Sequence, residues 1–261
     1  VPSTTNHQTM SYHPTYAKDF DCIAPGDESW NKIIFSQTRH IEHDLHNMGL
    51  SLKYVHQGRE WYEVEGQSYE VKAGQFLLVN HNRKAHVSIN SKDLPVIGTC
   101  LYIDPELLQD VLQTRQQSTL ENLELSKMTA PDLECLEAVY HIGESPKISQ
   151  LLRHVLQYRQ RELSPDEQRS LYWTIAEVLV EHRHHTEQQV LDIASEKRST
   201  REELYRRLLL AVDFMHNNYD RKIAVRDIAA AAYLSEYHFM RTFRQSFGKT
   251  SNQFLAHLRL R

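Results

Sequence analysis

Two hydrophobic patterns divide the chain. Between positions 33 and 103, short runs of aromatic and β-branched residues are separated by turns that contain glycine or asparagine. Such runs, broken about every 8–10 residues, are typical of antiparallel hairpins in a small barrel or sandwich. From Pro105 onward the apolar residues recur at helical spacing instead. The pattern therefore predicts an α+β chain, in which an antiparallel β-barrel is followed by helices and then by an all-α domain.

The middle of the chain carries two predicted amphipathic helices, at 148–161 and 165–183. Ser164 is a candidate N-cap, because Pro165 and Glu167 follow it as helix-start signals. The second helix has an apolar side that comprises Leu171, Ile175, Val178 and Leu179. Two interpretations remain open: the pair of helices forms a dimerisation element, or both helices pack on their own barrel.

The segment 223–261 predicts a short helix, a tight turn, a second helix and the start of a third. A longer predicted helix that begins near Thr200 precedes it. Ser235 is a candidate N-cap for the second helix, and Gly248 suits the position just beyond its end. Ser251 is a candidate cap for the third helix. A short helix, a tight turn and a second helix are the parts of a helix-turn-helix motif.

The second of these helices, at 236–247, has two unlike sides. Phe239, Phe243 and Phe247 recur every fourth residue and form a side suited to packing. The opposite side is long, aromatic and cationic, and comprises Tyr237, Met240, Arg241 and Arg244. A recognition helix in the major groove needs this division, because one side packs on its own domain while the other reaches base edges and phosphates.

The spacing of residues 229–260 resembles the first helix-turn-helix motif of the AraC/XylS family of bacterial transcription regulators. The matching residues are Ala229, Ala232, Ser235, Phe239, Arg241, Phe243, Arg244, Gly248, Ser251, Phe254, Arg259 and Leu260. Asn252 and Phe254 depart mildly from the proline and tyrosine that are common there. The family's DNA-binding unit resembles two such motifs joined by a long helix. We expect either that this chain is truncated within that helix, or that it binds DNA differently.

The resemblance implies which side chains contact DNA. Tyr237, Met240 and Arg241 would face the bases, and the Arg241 guanidinium could bond a guanine edge through two nitrogens. The candidates for phosphate contacts, which position the protein without specifying sequence, are His238, Arg244, Lys249, and Arg221 with Lys222. For each cation taken singly, a solvated surface charge is the alternative.

Residues 53–80 resemble the cupin-like sensor barrel at the N-terminus of many AraC-family proteins. The residues that carry this resemblance are Gly58, Glu60, Tyr62, Gly66, Gly74, Leu77, Leu78 and Asn80. The resemblance implies a small-molecule effector held between the sheets. The candidate effector-binding residues are Lys53, Tyr54, Trp61, Tyr69, His81 and His86. Ordinary core packing is the alternative for each aromatic residue.

A cupin enzyme would need a metal site, and this sequence lacks the pattern for one. Such a site uses a His-x-His pair, a glutamate and a later histidine, whereas Gly58 stands two residues after His56. We expect the cluster of His40, His43 and His46 on a strand or loop, as surface or structural histidines, with metal ligation as the alternative. We therefore predict no metal, no cofactor and no enzymatic activity.

The formal net charge of −4 conceals an asymmetry. Residues 200–261 contain 11 Lys and Arg against 6 Asp and Glu, whereas residues 1–199 contain 19 against 28. An acidic domain joined to a basic one is typical of a nucleic-acid-binding protein whose other half has another task. The three scattered cysteines, Cys22, Cys100 and Cys135, are typical of reduced thiols in a cytosol.

These observations predict three parts: a cupin-like effector-binding and dimerisation domain (1–184), a linker (185–199) and a helix-turn-helix DNA-binding domain (200–261). The predicted function is that of a cytoplasmic, sequence-specific transcription regulator of AraC type. Its predicted partners are double-stranded promoter DNA, a small-molecule effector, a second copy in a homodimer and RNA polymerase. The alternative is a ligand-binding, cupin-like module that acts through dimerisation without binding DNA itself.

Overall fold

The computed structural model describes residues 15–17, 31–45, 49–118, 134–159, 161 and 163–260. The chain divides into two compact units, Val1–Glu181 and His182–Arg261. Within the described residues, the first unit contains the strands and the second contains helices alone, so the predicted α+β class is confirmed. Cys22 and His46, which the sequence singled out, lie outside the described residues.

The strands of the first unit form two sheets. In chain order the strands are β1 (Thr15–Ala17), β2 (Lys32–Thr38), β3 (His40–Leu45), β4 (Leu50–Gln57), β5 (Arg59–Val64), β6 (Gln67–Lys72), β7 (Gln75–Val79), β8 (Ala85–Asn90), β9 (Val96–Ile103) and β10 (Val139–His141). The larger sheet has the order β1-β2-β9-β4-β7-β10, and the smaller has the order β3-β8-β5-β6. Strands β1 and β2 are parallel, and the other neighbours are antiparallel.

The sheets do not close into the barrel that the sequence predicted. Among the described strands, hydrogen bonds join neighbours within each sheet only, so β1, β10, β3 and β6 remain edge strands. Residues that point inward from both sheets share one core, which includes Val55 and Leu77. Strand β5 shows the alternation behind this core, because Glu60, Tyr62 and Val64 are buried while the residues between them are exposed. The first unit is therefore a pair of sheets, antiparallel except for the pairing of β1 with β2, with a common interior.

Helices follow the strands: α1 (Pro105–Ser118), a 3₁₀ turn (Ile142–Glu144), α2 (Pro146–Gln157) and α3 (Pro165–Leu191). The predicted start of α3 is confirmed, because Ser164 Oγ accepts from Glu167 N at 3.4 Å and Glu167 Oε2 accepts from Ser164 N at 2.9 Å. Helix α3 continues beyond its predicted end into the segment 185–199, where we expected a linker. Thr186 and Val190 are buried there, which accounts for the continued helix.

The second unit contains α4 (Arg198–His216), α5 (Val225–Ala231), α6 (Glu236–Phe247) and α7 (Ser251–Arg259). The predicted helix, turn and helix are α5, the turn after it and α6. Helix α7 begins at Ser251, but its cap is Thr250 and not Ser251 as the sequence predicted. The Thr250 hydroxyl accepts a hydrogen bond from Gln253 N at 3.2 Å, and Ser251 is buried. In the part of the chain that the structure describes, no helix is long and apolar enough to cross a membrane.

Candidate nucleic-acid interface and interior polar site

Helix α6 is fixed at both ends and along one side. The Ser235 hydroxyl accepts a hydrogen bond from His238 N at 3.4 Å, and Gly248, in the left-handed conformation with φ of 67°, ends the helix. Phe239 and Phe243 are fully buried, with ring centroids 5.3 Å apart. Phe254 of α7 meets the Phe243 ring edge-on at 5.6 Å. This aromatic core holds the orientation of α6 about its own axis.

The other side of α6 is open to solvent. Tyr237 is 74% exposed and Met240 is 46% exposed. Arg241 and Arg244 are also exposed, and neither forms an ion pair within the described part of the chain. These four residues follow the helical repeat, so they lie along one stripe of the helix. The stripe presents an aromatic ring, a thioether and two guanidinium groups to whatever approaches α6.

Two further predicted DNA contacts lie beside this stripe. His238 is exposed in the first turn of α6. Lys249 follows the helix end, and its Nζ lies 4.6 Å from the centroid of the Phe254 ring. The structure therefore brings six of the eight predicted residues to α6 and to the short segment after it, whereas Arg221 and Lys222 lie in the loop between α4 and α5. Their contact with DNA stays a prediction.

Arg259 of α7 has a structural part in this unit. Its Nε donates a hydrogen bond to the Tyr219 carbonyl at 2.8 Å, and one terminal nitrogen donates to the Arg221 carbonyl at 2.8 Å. These bonds join the end of α7 to the loop between α4 and α5. The arginine of the sequence match thus holds the loop that leads into the helix-turn-helix.

A cluster of polar side chains lies in the interior of the first unit. Lys53 on β4 is fully buried, and its Nζ donates a hydrogen bond to Tyr102 Oη of β9 at 2.5 Å. On the facing sheet, Tyr62 Oη donates to Glu60 Oε2 at 2.6 Å, and both residues are buried. Cys100, which pairs with Lys53 across β9 and β4, is buried in the same interior. We call these five residues the interior polar cluster.

Burial sets the ionisation of the cluster. Desolvation lowers the pKa of Lys53 and raises the pKa of Glu60, and the nearby opposite charge opposes the shift in each case. Desolvation also raises the pKa of the Cys100 thiol to about 11. The pKa values of the two phenols, Tyr62 and Tyr102, lie well above the ordinary value for the same reason. The thiol and the phenols are therefore protonated at neutral pH and available as donors.

Gly98 makes room for the cluster on β9. A Cβ atom at this position would lie 2.7 Å from Glu60 Oε1 and 2.8 Å from Ser36 Oγ. Contacts under about 3 Å are too close for a carbon atom, so any larger residue would displace the carboxylate. The position of the Glu60 carboxylate thus requires glycine at position 98 on the facing strand β9.

The structure separates the six residues that the sequence proposed for the effector. Lys53 and Tyr69 point into the shared interior. Tyr54 lies on the opposite face of β4, where its ring meets His56 at a centroid distance of 4.6 Å. Trp61 is 46% exposed on the outer face of the smaller sheet.

The two predicted histidines lie away from the interior. His81 is partly exposed, just after β7. His86 lies on the outer face of the smaller sheet, and its Nδ1 is 2.7 Å from Asp44 Oδ1. Glu42 Oε1 lies 3.5 Å from His86 Nε2. The hydrogen bond to Asp44 raises the pKa of His86, so this side chain belongs to a surface ion cluster.

Sequence reasoning missed four members of the interior polar cluster: Glu60, Tyr62, Cys100 and Tyr102. The alternation along β5 is a signal that could have found two of them, since it places Glu60 on the same face as Tyr62 and Val64. No group of three metal-ligating side chains is arranged to hold a metal ion in the described ranges. His40 and His43 lie on strand β3, as expected, and therefore point to opposite faces.

The second unit thus has the features of a helix-turn-helix DNA-binding protein: a cationic helix side, exposed and backed by an aromatic core. Comparison with known protein families also indicates a helix-turn-helix regulator. The family model for the AraC-type transcriptional regulator N-terminus matches residues 33–163, which is half of the chain. The model for bacterial regulatory helix-turn-helix proteins of the AraC family matches residues 215–256. The chain belongs to the AraC family of transcription regulators.

Several solved structures resemble the chain. The AraC-like transcriptional activator CuxR is 12% identical in sequence to this chain. The similarity covers 87% of this chain and 74% of the CuxR chain, with a TM-score of 0.40. ToxT from Vibrio cholerae O395, bound to (E)-4-(8-methylnaphthalen-1-yl)but-3-enoic acid, is 11% identical, with 87% and 99% coverage and a TM-score of 0.37. ToxT from Vibrio cholerae strain SCE256, bound to unsaturated fatty acid, is 14% identical, with 85% and 94% coverage and a TM-score of 0.34. No curated protein sequence matches the chain significantly.

Proposed function

We propose that this AraC-family regulator reads duplex DNA with α6 and responds to a small molecule held at the interior polar cluster. The observation that carries the first half is the open side of α6, where Tyr237, Met240, Arg241 and Arg244 are exposed above buried phenylalanines. A helix of this kind fits the major groove, and its long side chains reach base edges. The basic charge of residues 200–261 favours approach to the phosphate backbone.

Each predicted contact has a distinct role in this proposal. Arg241 bonds a guanine edge, and Tyr237 and Met240 meet bases through apolar contact, for example with a thymine methyl group. His238, Arg244 and Lys249 contact phosphates and fix the register of the helix. Arg241 is therefore a specificity residue, whereas Arg244 contributes affinity that does not depend on sequence.

Binding to a selected duplex tests this assignment. The full chain selects a preferred site from a random-sequence pool, and fluorescence anisotropy then measures its affinity at two salt concentrations. We expect Arg241→Ala to weaken binding to that site about 10- to 100-fold with little effect on a scrambled duplex. Arg244→Ala is expected to weaken binding to both duplexes and to reduce the salt slope by about one.

The matched control is Arg207→Ala. Arg207 lies on α4, is partly exposed and pairs with Glu203 at 2.9 Å, so its loss should leave DNA binding unchanged. Equal affinity of the wild-type chain for selected and scrambled duplexes would contradict sequence-specific reading. Dimerisation without any DNA binding would instead support the alternative of a ligand-binding module.

The interior polar cluster is the feature that supports the effector half of the proposal. Burying an ammonium and a carboxylate is costly, and an apolar interior of similar volume is often as stable. The Lys53 ammonium has three donors, and its hydrogen bond among the described residues is the one to Tyr102. A small molecule that brings an acceptor oxygen to Lys53 would supply the missing bonds. We propose such a polar molecule as the effector class.

Thermal stabilisation of the full chain tests the effector site. A panel of small carboxylates, sugars and amines is screened by differential scanning fluorimetry with the wild-type chain, Lys53→Met and Lys84→Met. Lys84 is an exposed lysine immediately before strand β8 and serves as the matched control. A true effector raises the melting temperature of the wild type and the control by several degrees, and that of Lys53→Met far less. Equal shifts in all three proteins would place the ligand elsewhere.

The further parts of the proposal concern assembly. We assign effector binding and dimerisation to residues 1–184 and DNA binding to 200–261, with α2 and α3 as the dimer contact. Leu151, Leu152 and Val155 of α2 are buried within the chain, so the dimer contact would use the other side of this helix. We further propose contact with RNA polymerase and a cytoplasmic location, where the DNA is. Light scattering of the full chain tests the dimer, since a monomer at micromolar concentration would contradict it.

A further inference from the structure

The turn between α5 and α6 holds an aromatic residue in an unusual backbone conformation. Tyr233 has a φ of 53°, in the left-handed region. The amide of Leu234 donates to the Ala229 carbonyl at 3.0 Å, and the amide of Tyr233 donates to the Ala230 carbonyl at 3.0 Å. These two bonds form a Schellman motif, which normally places glycine at the left-handed position. The turn therefore fixes Tyr233 where a side chain is disfavoured.

The end of α6 provides an internal comparison. Gly248 occupies the equivalent left-handed position there, with a φ of 67°. A Cβ atom at Gly248 would meet no atom within 4 Å, so space does not require a glycine at that end. After α6 the left-handed position thus has glycine, which the backbone energy favours there, whereas after α5 it has a tyrosine. Among the described residues with positive φ, Tyr233 is the only aromatic one.

The Tyr233 side chain is mostly outside the core, so little burial offsets the backbone strain. It is 77% exposed, the most exposed of the large aromatic residues that the structure describes. Backbone strain at a residue whose side chain is mostly exposed is a reason to look for a function. The residue stands two positions before Ser235, the cap of α6, and the first turn of a recognition helix is the part that enters the groove.

We propose that the Tyr233 hydroxyl donates a hydrogen bond to a DNA backbone phosphate beside the base pairs that α6 reads. The inference rests on the proposed function of α6. A phosphate is the fitting acceptor because Tyr233 lies outside the helix, on the segment that crosses from α5 to α6, and tyrosine is among the side chains that bond phosphates. The two hydrogen bonds of the turn fix the backbone of Tyr233, and its ring is already exposed, so its position is largely set before binding.

Four chains are compared for binding to the selected duplex: wild type, Tyr233→Phe, Tyr233→Gly and the matched control Tyr219→Phe. Tyr219 is 45% exposed in the loop after α4. We expect Tyr233→Phe to weaken binding about 5- to 10-fold, equally on duplexes with single base-pair changes, because only a phosphate bond is lost. The salt slope should not change, since a neutral hydroxyl displaces no counterion. Tyr219→Phe should bind as the wild type does.

Tyr233→Gly separates the contact from the strain. It should bind DNA at least as weakly as Tyr233→Phe, yet its DNA-binding unit in the full chain should melt about 4–8 °C higher. If Tyr233→Phe binds as tightly as the wild type while Arg241→Ala still loses specificity, the Tyr233 proposal alone is overturned. If Tyr233→Phe changes the preferred base, a base contact replaces the phosphate contact and the proposal is also overturned. If the wild-type chain shows no specific binding, the proposed function fails together with it.

Discussion

The two proposed sites place their polar side chains in opposite ways. On α6 the guanidinium groups of Arg241 and Arg244 face solvent, above a core of phenylalanine rings. In the first unit the Lys53 ammonium and the Glu60 carboxylate face the interior, and each bonds a tyrosine hydroxyl. The same kinds of group are thus fully hydrated in one unit and desolvated in the other.

The difference indicates how each site would work. The exposed stripe on α6 is already in place, so DNA binding needs little rearrangement of that helix and exchanges water and counterions for contacts. In the interior polar cluster, the Lys53 ammonium makes one hydrogen bond among the described residues, to Tyr102, so a ligand would complete its bonds and rearrange the hydroxyl groups beside it. The exposed stripe therefore suits a DNA-binding surface that is always available, whereas the interior polar cluster suits a ligand-dependent switch.

The largest expected effect concerns the core that supports the exposed stripe. Phe243→Ala should lower the free energy of unfolding of the second unit by about 3–5 kcal/mol, because it removes a fully buried ring and leaves a cavity. Urea denaturation of the full chain, followed by circular dichroism, measures the loss. Phe243→Leu, which refills most of the volume, should cost far less. Equal costs for the two variants would show that α6 does not depend on this packing.

The next effect tests whether the interior polar cluster acts as a unit. Lys53→Ala should cost about 2–3 kcal/mol in the free energy of unfolding, because the Tyr102 hydroxyl loses the Lys53 donor and Glu60 loses the nearby positive charge. The pair Lys53→Met and Glu60→Gln, combined in one chain, should cost less than the sum of the two single changes. Strict additivity in urea denaturation would mean that the two charged groups do not interact.

A smaller expected effect concerns an exception to this contrast, since the second unit also contains desolvated titratable groups, among them His182. Burial lowers the pKa of His182 to about 4, and His185 nearby adds to the shift. At a pH between about 6.5, the pKa in the unfolded chain, and 4, the unfolded chain binds a proton at His182 and the folded chain does not. The free energy of unfolding therefore falls as the pH falls through this range.

From pH 7 to pH 5 the loss from His182 should be about 2 kcal/mol. It is measured as the difference in pH dependence between the wild type and His182→Leu, in urea denaturation at both pH values. His238→Ala, which removes an exposed histidine, should keep the wild-type dependence. An unchanged pH dependence in His182→Leu would contradict the assignment.

The local features of the DNA-binding unit could be predicted because they depend on neighbours in sequence. The cap at Ser235, the end at Gly248 and the phenylalanine side follow from helical spacing. The choice between Thr250 and Ser251 failed because both residues can cap a helix and they are adjacent. The strain at Tyr233 could not be predicted, since the sequence shows no glycine to mark the turn.

The interior polar cluster could be predicted only in part, because it depends on long-range pairing. Lys53 meets Tyr102 through the register of β4 with β9, across 49 residues of sequence. Without that register, Trp61 and Lys53 are equally plausible as interior residues, and the structure places Trp61 outside. The extension of α3 has the same cause, because burial of Val190 is a tertiary effect.

The most direct test of the account is a thermodynamic cycle between Arg241→Ala and single base-pair changes in the selected duplex, measured by fluorescence anisotropy. If α6 reads DNA as proposed, changing one guanine position weakens the binding free energy of the wild-type chain by about 1–3 kcal/mol. The same base change has almost no effect on the binding of Arg241→Ala. If every position costs the two proteins the same, Arg241 does not read a base, and the proposed reading side of α6 is wrong.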